Sequence, residues 1–343
     1  MKNETLQSII QFKAIHKRRY MITTVILIII TFALCWAMLM LGNTIYSVKE
    51  IVAVLFGKEV NGASFAVGTL RLPRMLAGLL AGFAFGIGGY VFQTTLRNPL
   101  ANPNVIGITA GSSAAAVFCI VVLQASNTVI SIAAVVGGLL TVAIIYGLSR
   151  GTSFSIGRLI LIGIGIQAML NSAISYLMLI AKTHDLPTAL RWLSGSLNGV
   201  KLEMFMPLLI LLIICIPILL YLANHLEMLE LGDHAATSLG VSTNKVRILL
   251  IVIAVLVTAQ ATATTGPIAF ISFLAGPIAR RVIGTGYSAL IPSGLIGAIL
   301  VLAADLVGQF AFEVRYPVGV ITGIIGAPYL IFLLIKMNRK GDI

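Results

Sequence analysis

Long apolar runs separated by short polar gaps constrain this chain more than any other feature of its sequence. About 20 apolar residues in a helix cross the hydrocarbon core of a bilayer, where every backbone polar group must be satisfied internally. By that measure the sequence predicts ten spans, at 21–41, 68–92, 104–123, 129–148, 159–181, 204–222, 246–264, 267–284, 288–310 and 317–336. Composition agrees, because 59% of the residues are hydrophobic and only 10% are charged, with a mean hydropathy of +1.05. A soluble domain carries about 25% charged residues. Soluble enzyme, nucleic-acid binder and secreted disulfide scaffold are excluded as whole-chain readings. What remains is an all-α polytopic membrane protein.

An even number of spans places both termini on one side. With that side cytoplasmic, the inner segments carry 15 of the 23 basic residues and the outer ones 8. The positive-inside rule therefore predicts cytoplasmic termini, and it explains the net charge of +12 without nucleic acid. The loops are short, so residues 1–343 read as a single transmembrane domain with a polar cytoplasmic tail at 1–20. The first apolar run lacks a small-residue cleavage site, so no cleavable leader is expected. Cys35, Cys119 and Cys215 lie inside apolar runs, as small buried side chains do. The segment 223–245 is too polar to span and predicts a short cytoplasmic helix ending near Gly240.

Several chemistries are absent. Gly57-Lys58 is followed by Glu59 and lacks the upstream glycine of a nucleotide-binding loop. His16, His184, His225 and His234 fall in tails or loops, no metal-ligand spacing occurs, and no catalytic constellation is visible. Gly78, Gly82 and Gly86 recur every four residues and line one helix face, for close packing or for a pathway. Asp305 alone among the acids lies well inside a span. It reads either as a structural hydrogen-bonding carboxyl or as the proton or sodium group of an ion-coupled carrier.

Six segments in order carry a more specific signal. They are Arg71-Leu72-Pro73-Arg74, Gln93 through Pro103 with Gly107, and Trp192-Leu193-Ser194-Gly195-Ser196. Leu231-Gly232-Asp233 with Ser238 to Val241 comes next, then Gly266 to Phe270 with Pro277-Ile278-Ala279-Arg280. Pro317-Val318-Gly319-Val320 with Gly326-Ala327-Pro328 closes the set. Together, over roughly 60–336, they resemble the FecCD-type permeases of iron-siderophore and cobalamin ABC importers.

That resemblance implies a type II importer fold of ten transmembrane helices in which helices 2–5 and 7–10 form an inverted repeat. It implies a second permease subunit, a paralogue more readily than a self copy. It also implies two cytoplasmic ATP-binding subunits and an extracytoplasmic siderophore-binding protein, with ferric siderophore as cargo and haem or cobalamin as the alternatives. ATP would be used by the partner ATPase, with no cofactor or metal bound by this chain. Arg71 and Arg74 match outer-face arginines that pair with acids on the binding protein, although Arg74 also reads as a cation snorkelling to head groups. Asn98 and Leu100 match a loop constricting the cytoplasmic mouth. Ser155 lies where a second constriction is placed, or is an ordinary loop serine. Asp233, Ala235, Ala236 and Gly240 match the coupling helix that seats on an ATPase, the other reading being a helix on the membrane surface. The chain departs from the pattern at Arg315, where an acid is usual, and at Gln309, where an arginine is. Arg315 is thus a third docking candidate. His234 and Thr237 stand where Glu and Arg are usual, which bears on the choice of ATPase.

Overall fold

A computed structural model describes residues 2–149, 156–284 and 286–340. Among them the chain forms fourteen α-helices, beginning with α1 (Lys2–Met40), α2 (Val48–Leu55), α3 (Leu72–Thr95), α4 (Ile108–Val121) and α5 (Asn127–Ser149). They continue with α6 (Ile156–Ile180), α7 (Leu186–Ser194), α8 (Leu202–Tyr221), α9 (Ala223–Glu230) and α10 (Asp233–Ser238). The last are α11 (Thr243–Thr265), α12 (Ile271–Ile283), α13 (Leu290–Phe310) and α14 (Val318–Lys340). Helices α1, α3–α6, α8 and α11–α14 occupy the ten predicted spans. Among the described residues, seven segments are long and apolar enough to cross a bilayer. Helices α4 and α12, of 14 and 13 residues, are shorter; at 1.5 Å per residue each covers about 20 Å of a core about 30 Å thick.

Two halves repeat one length pattern. Helices α3–α6 have 24, 14, 23 and 25 residues, and α11–α14 have 23, 13, 21 and 23. The halves run in opposite senses, because Arg97, just past the end of α3, and Arg247, in the first turns of α11, reach the same carboxylate of Asp233. One end of the bundle, the Asp233 end, thus closes the first helix of one half and opens that of the other.

Helix α3 is the axis, buried over 78% of its apolar window, whereas α6 is buried over only 11%. The predicted glycine face explains the difference, since it is in contact along its length. A Cβ on Gly82 would stand 2.6 Å from the Gly297 carbonyl oxygen, and one on Gly86 would collide with the Ser293 carbonyl. Helices α3 and α13 therefore meet backbone to backbone, the packing open to small residues where no hydrophobic force separates helix from lipid.

Three polar stretches are more structured than their composition announced. The tail at 1–20 is helical from Lys2 as the first half of α1, because nothing in it breaks a helix. Its Arg19 donates to the Arg281 carbonyl (3.3 Å) and twice to that of Val282 (3.2 and 3.0 Å), satisfying carbonyls at the end of α12. The segment 223–245 holds two short helices rather than one, broken at Gly232 (φ +107°). The stretch 42–67 contains α2, started by a reciprocal Ser47–Glu50 capping box, and runs into a π-helical turn at Ser64–Arg71 that feeds α3.

Candidate functional site

The six motifs condense into three junctions. At the end opposite Asp233, Arg74 and Asp305 form a bidentate pair. The Arg74 Nε and Nη2 donate to the two carboxylate oxygens, each at 2.8 Å. Gln309, one turn beyond on α13, donates its amide to Asp305 at 2.7 Å. Asp305 is fully buried and the Arg74 side chain is 17% exposed. The fork geometry and the third donor satisfy a carboxylate that would otherwise be very costly in this setting. Arg71 is also occupied. It donates to the carbonyls of Leu39 and Met40 (2.9 Å each) and Thr44 (2.7 Å), closing the end of α1, and lies 4.9 Å from the centre of the Tyr46 ring. Arg315 remains exposed and donates to the Asn43 side chain at 2.7 Å. Of the three docking candidates, Arg71 and Arg74 spend their donors inside the chain, and Arg315 alone presents its side chain outward.

The second junction, at the same end, joins three motifs through main chain. The Ser196 N–H donates to the Thr265 carbonyl (2.7 Å) and the Gly319 N–H to that of Gly195 (3.2 Å). Gly195 and Gly266 have φ near +70°, and a Cβ on Gly266 would strike the Trp192 carbonyl, as one on Gly319 would that of Ser194. Glycine is required here by both conformation and contact. Beyond it, Phe270 holds a left-handed φ of +66° and opens α12, while its side chain lies against Gly326, where a Cβ would stand 2.5 Å from the Phe270 Cβ and 2.6 Å from its ring.

The third junction gathers cations at the Asp233 end. Arg247 donates to Asp233 at 2.7 Å and Arg97 at 3.2 Å, and Arg280 pairs with Glu230 and Thr94 while lying over the Tyr90 ring. Gln93 donates to the Ser272 and Phe273 carbonyls, 3.2 Å each, tying α3 to α12. The hydrogen bond from Arg247, with the charges of Arg247 and Arg97, holds the Asp233 carboxyl below its ordinary range. A lowered folded-state pKa means that the attachment of α10 is fully present above the unfolded value of about 3.9 and is lost as pH falls through the folded one. Amide exchange in α10, corrected for intrinsic rates, should therefore stay constant from pH 8 to about 5 and rise only below about 4. Asp233→Asn should raise it at neutral pH, on the order of fivefold for a pair this exposed.

The other sequence candidates cluster around that junction. Ala236 is buried and anchors α10, whereas Ala235 and Gly240 face outward beside the exposed His234 and Leu239. Asn98 is exposed, and its carboxamide oxygen accepts the Leu100 N–H at 2.8 Å, closing a tight turn with Leu100 half-buried at its tip. Ser155 lies outside the described residues. Among the described residues no three His, Cys, Asp or Glu side chains converge as metal ligands do.

One feature escaped the sequence reading. Gln167, Asn171 and Ser175 recur every four residues on α6, with Ser172 beside them, and Asn171, Ser172 and Ser175 are exposed. The hydroxyls of Ser172 and Ser175 donate to carbonyls of their own helix, at 3.0 Å each. The signal was a polar period of four inside an apolar run, which a count of hydropathy averages away.

A family model described as the FecCD transport family matches residues 26–336. The Escherichia coli K12 ferric enterobactin transport system permease protein FepG is 39% identical over 303 residues, 87% of this chain and 91% of that protein. The Bacillus subtilis 168 iron(3+)-hydroxamate import system permease protein FhuG is 34% identical over 328 residues, 93% and 97% of the two chains. Among solved structures, an inward-facing metal-chelate type ABC transporter superposes with a TM-score of 0.80 at 28% identity, covering 92% of this chain and 99% of that one. With its motifs folded into three joined contacts at the two ends of a multi-pass helical bundle, this chain belongs to the FecCD transport family and is a transport subunit with the ABC permease fold.

Proposed function

We propose that the chain is one permease half of a type II ABC importer that carries a ferric siderophore into the cytoplasm. Exposed α6 carries this reading. A helix long and apolar enough to span, scarcely covered by its own chain, bears an amide and hydroxyls at mid-length. Lipid does not solvate such groups, so they face a partner subunit or a wet pathway. A bulky polar chelate passing between two permeases needs such a wall and no tight binding site. The relatives named for ferric enterobactin and iron(3+)-hydroxamate support iron chelates as the cargo class.

In this assembly the Asp233 end is cytoplasmic, in keeping with its excess of basic residues and with both chain termini there. The outward face of α10, with Ala235 and Gly240 on it, seats on an ATPase, which hydrolyses the ATP. The Asn98–Leu100 turn narrows the inner mouth, with Ser155 as a second constriction. Arg315 meets an acid on the extracytoplasmic binding protein, while Arg71 and Arg74 hold the shape of the outer end. The second permease is a paralogue.

The test is uptake of iron-55 complexed to hydroxamate, catecholate and citrate-type chelators, with haem and labelled cobalamin alongside, in cells lacking this chain and in cells complemented with it. One siderophore class should be lost and restored, and Asn171→Leu should lower its uptake while the protein still reaches the membrane. Loss of cobalamin or haem with iron uptake unchanged would replace the cargo and keep the architecture.

A further inference from the structure

We infer that α1 carries an anionic phospholipid site at the border between its polar and apolar halves. Positions 18, 22, 25, 29 and 32 fall on one face of a helix with 3.6 residues per turn. Ile22, Val25, Ile29 and Phe32 are exposed along that face over three turns, which is the lipid-facing surface of a span. Arg18 is exposed on the same face at its polar end; the exposed Lys17 lies about 100° round the helix from it, and the exposed Lys13 one turn beyond Lys17. Acyl chains lying on Ile22–Phe32 bring a head-group phosphate to Arg18, with Lys17 and Lys13 adding positive charge from the adjoining side.

The opposite side of the helix is committed elsewhere. Arg19 closes the end of α12, Tyr20 stacks on Tyr287 with ring centres 5.2 Å apart, and His16 lies against Gly286. The rotation of the helix is thereby fixed with Arg18 turned outward, and Lys17 and Lys13 remain exposed on the adjoining side. Lys13 and Lys17 are four residues apart, a like-charge spacing that disfavours an isolated helix. No ion pair among the described residues engages Lys13, Lys17 or Arg18. A phosphodiester supplies the missing counter-charge, and a basic cluster flanking a span attracts anionic head groups. The bound lipid would hold α1 against the α12–α13 corner, which the cargo reading does not require.

Native mass spectrometry of the full chain in detergent, titrated with dioleoyl phosphatidylglycerol or dioleoyl phosphatidylcholine, tests this. The wild type should retain phosphatidylglycerol preferentially, and the preference should fall roughly fivefold per cation removed in K13Q, K17Q and R18Q. Glutamine preserves helix propensity, and Arg18→Lys should keep most of the preference. Lys49→Gln with Lys58→Gln, both exposed and remote in sequence, should leave it unchanged. Equal retention of the two lipids by the wild type, or an unchanged preference in the triple variant, overturns the site. Displacement of phosphatidylglycerol by excess inorganic phosphate assigns the cations to a free anion and overturns the lipid.

Discussion

Asp305→Ala should destabilise the protein by about 3–5 kcal/mol, the cost of leaving one partner of a buried ion pair uncompensated. The Arg74 guanidinium would keep its place between α3 and α13 without the carboxylate that takes two of its N–H groups, and Gln309 would lose its acceptor. Thermal denaturation in detergent reads the loss, and Arg74→Ala should give one of similar size. Arg74→Met combined with Asp305→Leu should recover most of it, because a packed apolar pair removes both desolvation costs together. If Arg74 instead served chiefly to dock a binding protein, its replacement would leave the melting temperature unchanged and impair only association. The burial of its partner makes stability the first property to fail.

Gly86→Ala is expected to cost about 1–3 kcal/mol, and Gly86→Val more, as overpacking does where neither side can yield. The added Cβ collides with the carbonyl of Ser293, a backbone atom of α13, so the two helices must part. The control lies in the same chain. Gly147 and Gly165 have open space where a Cβ would go, so alanine there should be neutral or stabilising by about 0.5–1 kcal/mol through reduced backbone freedom. The same melting assay checks both, and similar shifts at Gly86 and Gly165 would show that the crossing of α3 and α13 is looser than described.

The helices at the ten predicted positions could be read from hydropathy because lipid imposes one demand on every span, seven of them being long and apolar enough among the described residues to cross, and the glycine face because a period of four is local. Partnerships were less legible. Arg74 and Asp305 are 231 residues apart, so each was seen alone, one as a docking cation and the other as a structural or ion-coupling acid. Gln309 was noted only as a departure, yet it supplies the third hydrogen bond to Asp305. Arg71 closes a helix whose last residues lie more than 30 positions away, which no local pattern encodes. Within 223–245 the break at Gly232 was missed because a continuous helical pattern runs through it. Its φ of +107° requires glycine there, and a Cβ would also stand 3.3 Å from the Arg97 Nη1.

The doubly held carboxylate of Asp233 has a mechanical consequence. Arg97 trails the first helix of one half and Arg247 leads that of the other, so α10 pulls on both as a yoke pulls a pair. A displacement of this six-residue helix cannot enter one half and spare its counterpart. Force applied at that point is shared between the two halves before it is transmitted further.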